Sequence, residues 1–151
     1  AAALAGFLEA RATAPDVPVA EAAARLLGRG PGLTPEGDDV LAGAALGARA
    51  LGPAAGLSPR AVEALVRTLV PPGAGARTTA LSAALLGLAA RGEGPEPLAS
   101  LVAGPPAGRE AALADLRRLG ASTGAGLAGG LLLAAREVLR AARTGVVTSE
   151  G

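Results

Sequence analysis

The sequence has no cysteine and no histidine. The first absence excludes disulfides, thiolate metal sites and a cysteine nucleophile. The second removes the commonest general base and metal ligand at neutral pH. Any chemistry therefore falls to carboxylates, hydroxyls, arginine and backbone. Methionine, tryptophan and tyrosine are also missing, and Phe7 is the single aromatic residue. The core must be packed from Leu, Val and above all Ala, with Gly letting thin helices approach closely. Lysine is absent as well: all fourteen basic residues are Arg, they are scattered, and thirteen acidic residues balance them to a net charge of +1. With neither a phosphate-binding stripe nor an aromatic stacking platform, the chain is not expected to bind nucleic acid. The longest apolar run, Gly124 to Ala135, is well short of the ~20 residues of a membrane span and reads as a buried helix, so no membrane association is expected.

What is present is a chain of 151 residues, the size of one domain, able to bury roughly two-thirds of the surface its unfolded form exposes. It begins Ala-Ala-Ala without Met. The expectation is one all-helical domain over residues 1–151, the C-terminal part of a longer protein. Gly and Pro cut the chain into helical pieces, and no stretch alternates as a strand would. The fold class is all-α, a compact bundle of about seven or eight short helices with central Ala/Gly/Leu-rich ones buried. Helices are predicted over about Ala3–Ala12, Pro18–Leu27, Thr34–Leu51 and from Ser58-Pro59. Others follow over about Thr78–Ala90, Pro97–Val102, Arg109–Leu119 and Gly124–Ala142. Thr34 and Ser58 stand as N-caps before a Pro in the first turn.

Three of these helices look apolar around their whole circumference after a polar start: Thr34 to Asp39, Arg77 to Ser82, and Ser122-Thr123. A helix apolar all round is a buried helix. Its N-terminus presents unpaired N–H groups and a partial positive charge, so three such ends together would make an anion-accepting pocket, lined by Thr34, Asp38, Thr79 and Ser122. In the first of them, Gly28, Gly30 and Gly32 let the backbone come close to a ligand, although the segment lacks the Gly-Lys-Ser/Thr ending of a P-loop. Asp38 and Asp39 diverge by about 100° on the helix, each over apolar neighbours. Such carboxylates are costly unless satisfied, which leaves three readings: dipole-favoured caps, a Mg²⁺ site, or acceptors for ligand N–H groups. Arg77, Thr78 and Thr79 offer charge and hydroxyl donors to an anion, or an ordinary cap. Ser122 and Thr123 form a turn and cap that also suits ligand contact. No Ser has a visible base beside it, which disfavours a nucleophilic hydrolase.

The segment Gly30-Pro31-Gly32-Leu33-Thr34-Pro35-Glu36-Gly37-Asp38-Asp39 resembles the Gly-Leu-Thr-Pro-Ser-Gly-Asp-Asp signature of the DUF2877 family, which includes a subunit of bacterial oxamate carbamoyltransferase from allantoin catabolism. Arg77-Thr78-Thr79 and the late Ser-Thr-Gly turn fall in the same order, so the resemblance covers about Leu26 to Leu133. Glu36 stands where Ser is common, and Gly126 where an Asp is expected. The resemblance implies a cytoplasmic carbamoyltransferase subunit acting on carbamoyl phosphate and oxamate or a related ureide, alongside other subunits or copies of itself. Gly30, Gly32, Thr34, Gly37, Arg77, Thr78, Thr79, Ser122 and Thr123 would then hold a small anionic or ureido ligand. Asp38 and Asp39 would be the catalytic carboxylates, accepting ligand N–H groups or holding Mg²⁺. Two other readings stand beside this one: a non-catalytic helical scaffold, and a Mg²⁺-dependent phosphate-handling enzyme.

Overall fold

The computed structural model describes residues 19–143, and side chains through residue 139. These residues form seven α-helices, with no strand among them: α1 (Val19–Leu26), α2 (Glu36–Leu51), α3 (Pro59–Leu69), α4 (Ala80–Ala90), α5 (Glu96–Ala103), α6 (Arg109–Arg117) and α7 (Thr123–Arg143). The all-α bundle expected from the sequence is therefore the observed fold. The helix predicted over Ala3–Ala12 lies outside the described residues.

One helix organises the rest. Every residue of α2 from Glu36 to Ala48 is buried, and α1, α3, α4, α5 and α7 all pack against it. Its most extensive partner is α7, and the sequence explains how closely the two meet. A Cβ added at Gly43 would stand 2.1 Å from the carbonyl oxygen of Leu127, and one added at Gly130 would stand 2.0 Å from that of Val40. Glycines four apart on each helix, Gly43 and Gly47 against Gly126 and Gly130, thus bring two backbones into direct contact. That approach buries main chain and Ala methyls where a chain with larger residues would bury aromatic rings. Leu41, Leu86 and Leu116 fill the remaining core with Val40 and Val66.

The outer helices are amphipathic. In α3, Val62, Val66 and Leu69 face the core, and the Ser58 hydroxyl caps the helix by accepting from the Ala61 N–H at 3.2 Å. Of the three helices expected to be buried all round, only α2 is. Leu81 and Leu85 of α4 and Leu132 and Leu139 of α7 are exposed. The physical reason is size, since a bundle of this length has room for one central helix and its neighbours must show a face to solvent. Thr34 is not the N-cap of α2 either; Pro35 holds that position without a side-chain hydrogen bond. The Thr34 hydroxyl is turned instead toward Thr123, 3.1 Å away on α7.

Candidate functional site

Asp38 and Asp39 are adjacent in sequence and opposite in circumstance. Asp38 is buried at the first turn of α2, where its Oδ1 accepts from the Gly28 N–H at 2.7 Å. Its Oδ2 accepts from the Ser82 hydroxyl at 2.7 Å and from the Thr78 hydroxyl. One carboxylate thus ties the turn after α1 and the start of α4 to the start of α2. Gly28 suits this clasp because its φ of 72° is open to glycine and because a Cβ there would lie 2.2 Å from the Arg77 carbonyl oxygen.

The same clasp consumes most of the groups expected to meet a ligand. The Gly37 N–H donates to the Arg29 carbonyl at 2.9 Å, and a Cβ at Gly30 would lie 2.8 Å from the Glu36 nitrogen, so the glycine-rich loop folds onto the α2 N-terminus. Gly32, with nothing near its Cβ position, sits at the exposed edge of the loop. Arg77 donates through Nη2 to the Ala24 carbonyl at 2.9 Å, at the C-terminal end of α1. The Thr79 hydroxyl donates to the Leu33 carbonyl and accepts from the Ser82 N–H at 3.1 Å, which makes it the N-cap of α4.

Asp39 points the other way. It is 4% exposed and lines a cavity of about 710 Å³ between the start of α2, the face of α4 and the start of α7. Its Oδ2 is fully buried and has no hydrogen-bond partner. Burial pushes the Asp39 carboxyl up to about 6; the Thr123 hydroxyl pulls it down, the Asp38 charge adds to the rise, and the Thr34 hydroxyl lowers it. Thr34 and Thr123 line the same cavity, so two of the three helix starts converge there with one carboxylate between them. Asp38, Thr79 and Ser122 do not line it, and neither do Gly30, Gly32, Gly37, Arg77 or Thr78.

The rest of the wall consists of residues that sequence reasoning had not placed at a site. Leu33, Leu81, Leu85 and Leu127 form its apolar faces, while Glu93 and Gly120 stand at its edges. The one legible hint was Gly120, which precedes the Ser-Thr turn and has a φ of 64°. Gly126 resolves a second point. A Cβ there would lie 2.6 Å from the Cβ of Asp39, so the Asp expected at that position has no room beside this α2.

A Mg²⁺ site fits this donor set poorly. Both Asp38 oxygens accept from N–H and O–H donors and the two carboxylates do not converge on one point; among the described residues no three acidic side chains group to hold a metal ion. The cavity is chemically a hydrogen-bond acceptor with two hydroxyls beside it and leucine walls around it.

No curated protein and no solved structure matches the chain. A family model described as oxamate carbamoyltransferase subunit AllH matches residues 26–135. That span holds the glycine-rich loop, Asp38 and Asp39, the start of α4, and the Thr123 end of α7, so it contains the clasp and the cavity in full. By that match over most of its length, the chain belongs to the oxamate carbamoyltransferase subunit AllH family.

Proposed function

We propose that the chain is a substrate-binding subunit of an oxamate carbamoyltransferase-type enzyme, and that Asp39 accepts the amide or ureido N–H of the ligand in the cavity beside Thr34 and Thr123. The observation that carries this reading is the buried, unpartnered Oδ2 of Asp39. An orphan acceptor of this kind costs about 1–3 kcal/mol, and a purely scaffolding subunit would have no use for it. A ligand N–H offsets that cost on binding.

The same atom suits the reaction. In carbamoyl transfer the amide nitrogen of oxamate forms a bond to the carbamoyl carbon, the bond from that carbon to the phosphate oxygen breaks, and the nitrogen gives up a proton. Asp39, held near 6 by burial, is deprotonated at neutral pH yet basic enough to take that proton. In a chain without histidine it is the side chain best tuned for the task. The leucine walls exclude water from the carbamoyl group, and orientation within the cavity supplies the remaining acceleration. The wider setting follows from the same reading: a cytoplasmic enzyme of ureide breakdown such as allantoin catabolism, assembled with other subunits.

The test is activity of the assembled enzyme carrying Asp39→Asn. Loss of a general base costs on the order of 10²–10⁴ in kcat. The wild-type rate should also rise with pH through an apparent pKa near 6. An assembled Asp39→Asn enzyme within threefold of the wild-type rate would reject the catalytic role.

A further inference from the structure

The cavity has charge of only one sign. Its charged lining residues are Asp39 and Glu93, both acidic, and Glu93 is drawn to Arg91 at 2.7 Å outside the lining. Arg77 is engaged on the Ala24 carbonyl, and Arg49 on the Ala90 carbonyl and on Glu63. Several N–H groups at the helix starts are engaged within the chain as well: the Gly37 N–H by the Arg29 carbonyl, the Ser82 N–H by the Thr79 hydroxyl, and the Gly124 N–H by the Leu119 carbonyl at 3.0 Å. An unpaired anion brought here would meet a buried carboxylate and no cationic side chain in the lining to neutralise it.

The mouth carries a different signal. Leu33, Leu81 and Leu85 are three of the five exposed large hydrophobic side chains among the described residues, and all three line this cavity. Clustered apolar exposure at the rim of a pocket that holds a buried carboxylate marks a surface that another protein covers.

We infer that the cavity is one half of a composite site: it takes the uncharged carbamoyl or amide N–H end of the ligand at Asp39 and rejects a free oxyanion, whose charge is met by a basic side chain of another subunit seated on the Leu33, Leu81 and Leu85 rim. The inference rests on the proposed substrate-binding role and adds a division of labour to it. The partner contributes apolar contact to the rim and a cation to a lining whose charged side chains, Asp39 and Glu93, are both acidic and meet a cation of this chain only outside it, at Arg91.

The experiment is a calorimetric titration at pH 7.5 of the full chain alone, and of the chain assembled with the other subunits of its enzyme, using N-methylurea and inorganic phosphate as probes. The chain alone should bind N-methylurea saturably with Kd on the order of millimolar. Asp39→Asn should weaken that binding at least about tenfold. Phosphate should give no saturable heat with the chain alone and should bind once the other subunits are present. The paired substitution Leu81→Glu and Leu85→Glu should abolish the phosphate binding of the assembly. Saturable phosphate binding by the chain alone, absence of N-methylurea binding, or assembly that creates no phosphate site would each overturn the inference. The proposed catalytic role fails separately: an Asp39→Asn assembly that turns over normally rejects that role even where the wild-type chain binds N-methylurea as described.

Discussion

Replacing Asp38 by Ala removes an acceptor shared by three donors that the fold has no other way to satisfy. The Ser82 hydroxyl is 1% exposed, and the Gly28 N–H sits in a turn closed by the Arg77 carbonyl. Hydrogen bonds to a carboxylate contribute about 1.5–3 kcal/mol each, and a stranded buried donor costs about 1–3 kcal/mol. Because the three bonds share one group their losses do not add, and the expected destabilisation is about 3–5 kcal/mol. With a urea m-value of about 2 kcal/mol/M, the unfolding midpoint should fall by about 2 M at unchanged slope. Asp39→Asn is the control. It alters a carboxylate that lacks one partner, and at pH 7.5 it should leave the midpoint unchanged or raise it by up to about 0.5 M. A fall below about 0.5 M for Asp38→Ala, or an equal fall for both variants, would refute the assignment of one Asp to the scaffold and the other to the cavity.

Three further outcomes follow. Asp39 holds its proton more tightly folded than unfolded, with its pKa raised from 3.8 to about 6, so its contribution to stability is fully present below pH 3.8 and is lost as pH rises through 6. Allowing for water in the open cavity, wild type should lose about 1–2 kcal/mol across that window relative to Asp39→Asn, as chemical unfolding at pH 4 and pH 7.5 will show. Gly126→Ala places a Cβ 2.6 Å from that of Asp39, and Gly43→Ala one 2.1 Å from the Leu127 carbonyl; each should destabilise by about 1–3 kcal/mol, read as a lower thermal midpoint. Gly126→Ala should in addition weaken N-methylurea binding, because α7 can move only by shifting Thr123 from Asp39. Ser58→Ala, which removes the cap of α3 far from the cavity, should cost about 0.5–2 kcal/mol and leave ligand binding unchanged.

Local chemistry settled most of the helices. Pro59 after Ser58, Pro97 after Glu96, and the Gly-Pro breaks between helices decide where a helix can begin and end whatever surrounds it, and the element boundaries agree with the structure to within a few residues. The lack of aromatic residues likewise required a bundle held by Ala, Gly and Leu, and the α2–α7 glycine contact is its direct consequence. The polar helix starts at Thr34, Arg77 and Ser122 were also legible as places where something other than packing happens.

Which of those polar groups faces the cavity was decided in three dimensions. Asp38 and Asp39 have the same chemistry and the same local dipole, and the angle of about 100° between them sends one into donors from Gly28, Thr78 and Ser82 and the other into the cavity. Arg77 and Thr79 looked like anion donors in sequence, but the carbonyls of Ala24 and Leu33 lie within their reach and take them. The leucine rim was invisible for the opposite reason, since Leu81 and Leu85 have the composition of core residues and only the packing of α4 on one side of α2 leaves them at the surface. Sequence alone determined which backbone segments become helices, because capping, proline and glycine act within a few residues. Tertiary structure decided which polar groups are spent on the fold and which stand unpaired beside the cavity, because that depends on partners brought together from distant parts of the chain.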